Sequence, residues 1–143
     1  MDRCVTAACF VLLCGIGMAP AQEAAPKSSS AGVFTEEQAK RGELAYNANC
    51  AGCHGDKLLS IAPQFPSLAG RAFWTAWIGK TIGEKFDFVR NSMPPKAERS
   101  LGDQVYLNIV IYILRFNKIP AGDRPLTPDL ELLKQIQIAT PPR

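Results

Sequence analysis

The chain has 143 residues, of which 47% are hydrophobic and 20% charged, and 16 basic against 13 acidic residues give a formal net charge of +3. This length predicts one domain, because domains most often contain about 100–150 residues. The small positive charge argues against a nucleic-acid-binding protein, since such proteins usually carry clusters of Lys and Arg.

The first 21 residues have the pattern of a secretory signal peptide. Arg3 precedes an uncharged apolar run, residues 5–18, and Ala19-Pro20-Ala21 is an A-x-A cleavage site. The run is shorter than the roughly 20 apolar residues of a transmembrane helix. We therefore expect cleavage after Ala21, export to the periplasm and no integral membrane span in the mature chain. An uncleaved membrane anchor is the alternative.

A flexible lead-in and a helix are predicted next. Residues 22–33 are rich in Ala, Ser and Pro, a composition typical of disordered segments. Thr35 and Gln38 have the spacing of a capping box, so a helix should begin there and run to about Asn49. Gly42 inside this helix costs about 1 kcal/mol relative to Ala. Either another backbone passes close to Gly42, or it is a tolerated surface residue.

The remaining predicted elements are also helical. Pro and Gly predict a loop over 62–70, and short helices are predicted over 73–79 and 83–91. The residue before a proline avoids the helical region, so the chain should be extended at Met93. The strongest helical pattern begins with a cap at 100–103, and Pro120 and Gly122 end it. Its apolar stripe contains Val105, Ile109, Val110, Tyr112, Ile113 and Phe116.

The tail, residues 123–143, is predicted to hold one short helix after Thr127-Pro128. The sequence shows neither the alternating pattern of a β-strand nor an internal repeat. These features together predict an all-α protein.

Cys50-Ala51-Gly52-Cys53-His54 is a C-x-x-C-H motif, the signature for covalent attachment of c-type haem. Two thiols at this spacing can each add to one vinyl group of a porphyrin, and the adjacent imidazole can bind the iron. A thioredoxin-like site would require a βαβ pattern, which is absent. A zinc site would require more ligands, yet His54 is the single His and the other three Cys lie in the predicted signal peptide. A structural disulfide would leave the adjacent His unexplained.

Met93 is the candidate for the second axial ligand, because it is the single Met outside the predicted signal peptide. A thioether opposite an imidazole raises the reduction potential of a haem iron. Pro94 and Pro95 would stiffen the loop that holds the sulfur. The alternatives are a Met that only fills the core, or Lys or water as the sixth ligand, which would leave an open iron site.

Further motifs accompany C-x-x-C-H: a Gly and an aromatic on the first helix, a Pro-x-Leu-x-Gly stretch, and an apolar–aromatic pair on the last helix. These residues are Gly42, Tyr46, 66–70, Ile109 and Tyr112. With these motifs, residues 34–122 resemble a class I, mitochondrial-type cytochrome c in a compact monohaem bacterial form. Ile111 departs from the small residue that is common in the family.

The resemblance implies a cytochrome c fold whose helices wrap one haem c, bound covalently through Cys50 and Cys53, with His54 and Met93 on the iron. It also implies that the carbonyl of Pro66 accepts the Nδ1 proton of His54 and so fixes its tautomer.

A narrower similarity is to the small cytochromes c associated with quinoprotein (PQQ-dependent) alcohol dehydrogenases. The matching segments are 70–71, 73, 77–81, 93–95 and 117–122. Arg71 and Trp77 are candidates for hydrogen bonds to the haem propionates; otherwise they are a surface Arg and a core Trp. Six basic residues either surround the exposed haem edge or are ordinary solvated charges: Lys57, Lys80, Lys85, Arg90, Lys96 and Arg99.

These features predict an electron-transfer protein, not an enzyme, that carries electrons from a dehydrogenase to an oxidase or cytochrome. The alternatives are a dedicated haem subunit of a dehydrogenase complex and a haem sensor or peroxidase-like enzyme. An exposed apolar face of Leu130, Leu133 and Ile138 would favour the subunit, and packing of this tail on the haem domain would favour the freestanding carrier.

Overall fold

The computed structural model describes residues 28–140, and the regular elements of this range are helical. A short 3-10 helix, Ser29–Ala31, comes first. It is followed by α1 (Glu36–Asn49), α2 (Ala51–His54), α3 (Gly70–Trp77), α4 (Ile82–Ser92), α5 (Asp103–Phe116) and α6 (Leu130–Leu133). The predicted signal peptide, residues 1–21, lies outside the described residues. None of the described helices is long and apolar enough to cross a membrane.

Helix α1 begins and ends where its sequence predicts. The hydroxyl of Thr35 accepts a hydrogen bond from the Gln38 amide, and the Gln38 side chain accepts one from the Thr35 amide, both at 3.3 Å. This capping box satisfies two of the amide groups that a helix start leaves free. The helix continues to Asn49.

Helix α5 is the centre of the core, and α1 crosses it. Its residues 106–114 are all buried. Val105 and Phe116, which begin and end the predicted stripe, are each 36% exposed. The stripe therefore underestimates the buried face, because neighbouring segments surround the middle of α5. The helix starts after Gly102, which provides no side-chain cap.

Helix α4 carries a second capping box, between Thr81 and Glu84. The helix ends at Ser92, and Met93 is extended with φ −134° and ψ 147°. This agrees with the expected effect of the proline that follows. Helix α3 begins at Gly70, inside the segment expected to be a loop.

The segment from residue 28 to residue 33 packs against the tail. It is therefore ordered, whereas the sequence predicts a flexible lead-in up to residue 33. Ser29 is buried, its amide donates to the carbonyl of Gln137 at 2.8 Å, and its hydroxyl accepts from the amide of Ala139 at 3.1 Å. The partners that hold Ser29 are 108 and 110 positions away along the chain, so the local composition does not indicate that this segment is ordered.

The tail packs against the start of α4. The side chains of Leu133, Ile136 and Ile138 are fully buried. The Ile82 amide donates to the carbonyl of Ile136 at 2.8 Å, and the Ile138 amide donates to the carbonyl of Lys80 at 2.7 Å. Of the three residues of the predicted face, Leu133 and Ile138 therefore belong to the core and Leu130 is partly buried against it, so they do not form an exposed apolar face.

Candidate functional site

A cavity of about 470 Å³ lies between the helices, within the size range of small-molecule and cofactor sites. Most of its lining is apolar, and α1, α2, α3, α4, α5 and the 64–68 loop all contribute to it. Six of the seven predicted site residues are among the lining residues: Cys50, Cys53, His54, Pro66, Trp77 and Met93. The fold thus brings the C-x-x-C-H motif and the single Met of residues 22–143 to one cavity.

The C-x-x-C-H motif forms the short helix α2, directly after α1. The Cys50 amide donates to the carbonyl of Tyr46 at 2.8 Å, and the His54 amide donates to the carbonyl of Cys50 at 3.0 Å. The hydroxyl of the buried Tyr46 donates to the carbonyl of Gly55 at 2.8 Å. Tyr46 therefore ties both ends of the motif to α1.

Both thiols of the motif are free, and their environments differ. Cys53 is exposed, whereas Cys50 is partly buried. Burial, with a smaller contribution from Cys53, raises the pKa of Cys50 to about 11. Cys50 is therefore a neutral thiol at neutral pH.

The imidazole of His54 is buried and oriented by the backbone. Its Nδ1 lies 2.9 Å from the carbonyl oxygen of Pro66. A carbonyl can only accept, so the Nδ1 proton is donated to it and Nε2 keeps its lone pair. A histidine ligand is usually oriented in this way by its second nitrogen.

Asn117 holds the loop that contains Pro66, a role that the sequence analysis did not assign to it. Its side chain accepts from the amide of Gly70 at 2.8 Å and donates to the carbonyls of Leu68 at 3.0 Å and Ile113 at 2.8 Å. This buried amide ties the loop to the end of α5. A side chain that makes three such bonds is not identifiable from local sequence.

Met93 is fixed by Tyr106, which the sequence analysis also missed. The Tyr106 hydroxyl donates to the carbonyl of Met93 at 2.9 Å, and the Tyr106 side chain is 1% exposed. Pro94 and Pro95 line the cavity beside Met93. The position of the thioether is thus set by α4 on one side and α5 on the other.

The two predicted propionate contacts have different positions. Trp77 lines the cavity, and its ring lies 5.6 Å from that of Phe88. Arg71 is exposed on the first turn of α3 and does not line the cavity. A contact of Arg71 with a propionate therefore stays a prediction.

Lys85 is a cavity residue, whereas its sequence predicts a position either at the exposed haem edge or on the solvated surface. It is 2% exposed, and burial lowers its pKa to about 7. A signal was present in the sequence: the buried Ile82 and Val89 lie three and four positions from Lys85, so helical spacing places Lys85 on the buried face of α4.

The residues that are present fit a covalently bound haem. The C-x-x-C-H motif supplies two thiols and an oriented imidazole to the apolar cavity. Met93, which follows α4, supplies a thioether to the same cavity. Within residues 28–140, no group of three or more His, Cys, Asp or Glu residues is arranged so that it could hold a metal ion. The donor set is therefore that of a haem iron with N and S ligands, and it does not suit a bare ion.

Comparisons with known proteins agree with this chemistry. The family model described as "Cytochrome C oxidase, cbb3-type, subunit III" matches residues 37–113, more than half of the chain. Among solved structures, the chain is similar to a chain of the sulfane dehydrogenase SoxCD from Paracoccus pantotrophus. The sequence identity is 25%, the TM-score is 0.51, and the match covers 86% of this chain and 68% of that chain. No curated protein matches the chain significantly.

The predicted all-α cytochrome c fold and the predicted haem c are thereby confirmed, and so is a role in electron transport. The chain belongs to the c-type cytochrome family of the matching model, whose members bind haem covalently.

Proposed function

We propose that this chain is an exported monohaem cytochrome c that carries single electrons between a periplasmic dehydrogenase and a respiratory acceptor. The supporting observation is that Cys50, Cys53, His54 and Met93 line one cavity. When bound, the haem iron supplies one-electron chemistry between Fe(III) and Fe(II).

The residues of the chain have separate parts in this function. Cys50 and Cys53 are proposed to hold the haem covalently, and His54 and Met93 to bind the iron. The Pro66 carbonyl keeps the His54 Nε2 lone pair available, at an Nδ1···O distance of 2.9 Å. Tyr106 fixes the backbone of Met93, with its hydroxyl 2.9 Å from the Met93 carbonyl. Two protein ligands leave no iron position for a substrate, which favours a carrier over an enzyme.

The ligand assignment is tested by Met93→Ala, with Pro95→Ala as the control, because Pro95 also lines the cavity but has no donor atom. Met93→Ala should lower the reduction potential and abolish the charge-transfer band of the thioether–Fe(III) bond. Pro95→Ala should keep that band. An unchanged band in Met93→Ala would overturn the assignment.

Covalent attachment is tested by the double variant Cys50→Ala, Cys53→Ala. Haem staining of a denaturing gel should detect wild-type protein and not the double variant. Persistent staining of the double variant would contradict attachment through these thiols.

The freestanding carrier is supported by the tail, since Leu133, Ile136 and Ile138 are buried against the haem domain. A haem subunit of a dehydrogenase complex is the second candidate, because the similar solved structure is that of a sulfane dehydrogenase. Fractionation of the cells that make the protein, followed by size exclusion, separates the two. The proposal expects haem at the size of the free chain in the periplasmic fraction. Haem that elutes only with a dehydrogenase would establish the second candidate.

Donor and acceptor are tested by rapid mixing. The oxidised protein should be reduced by a quinoprotein alcohol dehydrogenase with its alcohol, and the reduced protein should be oxidised by a respiratory oxidase. The narrower similarity of segments 70–71 and 77–81 supports this choice of donor. Reduction by another dehydrogenase alone would overturn it.

A further inference from the structure

Lys85 is a buried cation without a carboxylate partner among residues 28–140. Its side chain lines the haem cavity and is 2% exposed. The ion pairs of the described chain join Arg90, Arg115 and Lys134 to acidic residues, and Lys85 takes part in none of them. Its Nζ instead lies 4.1 Å from the centre of the Trp77 ring and 5.3 Å from that of Phe73.

Two aromatic rings stabilise an ammonium group less than water does. Transfer of a charge from water to an apolar interior has a large free-energy cost, and a cation–π contact offsets only part of it. Burial is accordingly the cause that lowers the pKa of Lys85 to about 7. A buried Lys in a cavity of this kind indicates that the occupant of the cavity carries a negative charge.

The position of Lys85 on α4 indicates which part of the occupant it meets. Lys85 precedes Met93 by eight positions, which corresponds to about 12 Å along a helix axis. The cation and the thioether therefore lie at separated points along one wall of the cavity. A haem has its iron at the centre of the ring and its two carboxylates, on the propionate groups, at the edge.

We propose that the ammonium group of Lys85 binds a propionate carboxylate of the haem inside the cavity, and that this buried positive charge raises the reduction potential of the iron. The inference rests on the proposed function, since it requires the haem in this cavity. It adds Lys85 to Arg71 and Trp77, the two candidates for propionate contacts from the sequence.

The effect on the potential follows from electrostatics. Reduction adds one electron to the iron, so a nearby positive charge stabilises the reduced state and a nearby unpaired carboxylate destabilises it. In a low-dielectric cavity these interactions are stronger than at the surface. Lys85 acts as a positioning residue because it does not bind the iron.

The test compares Lys85→Met with Lys80→Met. Lys80 is a matched control, because its Nζ also lies over the Trp77 ring, at 5.1 Å, but the residue is exposed and screened by water. Lys85→Met should lower the reduction potential measured by spectroelectrochemistry, and Lys80→Met should leave it nearly unchanged. Lys85→Arg, which keeps the charge, should restore most of the wild-type potential.

Redox-difference infrared spectra supply a readout of the carboxylate itself. The propionate bands should shift in Lys85→Met and keep their wild-type positions in Lys80→Met. Equal potentials and equal bands in the two variants would overturn the inference. Haem absorption and the thioether–Fe(III) band are recorded in the same samples, so that loss of the haem or of Met93 ligation is recognised as a failure of the proposed function instead.

A measurement on the wild-type protein covers the case in which Lys85→Met does not fold. In the diamagnetic reduced protein, proton NMR should show nuclear Overhauser effects between the Lys85 side chain and the propionate methylene groups. Assigned Lys85 signals without these effects would overturn the inference.

Discussion

Gly42 lies against the backbone of Asn108 at the point where α1 crosses α5. A methyl group built on Gly42 would overlap the carbonyl oxygen of Asn108 and lie 2.6 Å from its carbonyl carbon and 2.9 Å from the Cβ of Tyr112. The two helix backbones therefore touch where no side chain fits between them. Four residues further along α1, the Tyr46 ring packs on that of Tyr112, with their centres 5.3 Å apart.

We predict that Gly42→Ala destabilises the protein, although Ala favours the helix by about 1 kcal/mol. The added methyl meets backbone, so the helices must separate, and overpacking of this kind typically costs about 1–3 kcal/mol. Denaturant unfolding of the haem-loaded protein measures the change. Gly52→Ala is the control, because a Cβ there would have no neighbour within 4 Å. Equal stabilities of the two variants would contradict the close crossing.

Tyr106→Phe should make the binding of Met93 to the haem iron less stable, because Tyr106 fixes the backbone of Met93. The variant loses the hydrogen bond from the hydroxyl to the Met93 carbonyl, which has a length of 2.9 Å, and a bond of this kind contributes about 0.5–1.5 kcal/mol. The thioether–Fe(III) band should therefore disappear at a lower denaturant concentration than in the wild type. The matched control is Tyr112→Phe on the same helix, since the Tyr112 hydroxyl makes no hydrogen bond within residues 28–140. An equal shift in both variants would refute a specific role for Tyr106.

Asn117→Ala should destabilise the loop that contains Pro66, whose carbonyl orients His54. The change leaves the amide of Gly70 and the carbonyl of Leu68 without their side-chain partner. An unsatisfied buried polar group costs about 1–3 kcal/mol, and we expect a loss of unfolding free energy in this range. Asn91→Ala provides the comparison, because Asn91 makes an exposed bond to Arg99 and should change stability by less than about 0.5 kcal/mol.

Ile136→Ala should destabilise the haem domain, because Ile136 is fully buried. Removal of a buried Ile side chain to Cβ costs about 2–5 kcal/mol. Leu44→Ala, at a residue that is 73% exposed, removes a similar apolar volume and should have little effect. Thermal unfolding monitored at the haem absorption band compares the two. Unchanged stability of Ile136→Ala would mean that the tail is not part of the core.

Sequence patterns predict the helices of this protein well, because their signals are local. The capping box at Thr35 and Gln38 and the extended backbone at Met93 depend on neighbours within four residues. The C-x-x-C-H motif is equally local. Its spacing, with the adjacent His and the lack of a βαβ pattern or further Cys and His ligands, predicts the haem chemistry.

The supporting contacts could not be predicted, because their partners are distant in sequence. Asn117 meets residues 47 and 49 positions away, and the Gln38 side chain exchanges two hydrogen bonds with the backbone of Leu126, 88 positions away. The burial of Lys85 differs from both expectations, the exposed haem edge and the solvated surface, for another reason. A charged side chain suggests exposure, and only its helical spacing from Ile82 and Val89 places Lys85 on the buried face.

The hydrogen bond between Ser29 and Ala139, 3.1 Å long, brings two residues that are 110 positions apart in sequence to one point on the protein. The haem cavity is formed by residues that lie between these two in sequence, and neither of the two contributes to its lining. A circularly permuted chain, with residue 140 linked to residue 28 and new ends at the exposed 123–125 segment, would therefore keep every cavity residue in place. For the same reason, the domain is suited to insertion as a unit into a loop of another protein. It would add a redox centre there, and its two attachment points would be close together.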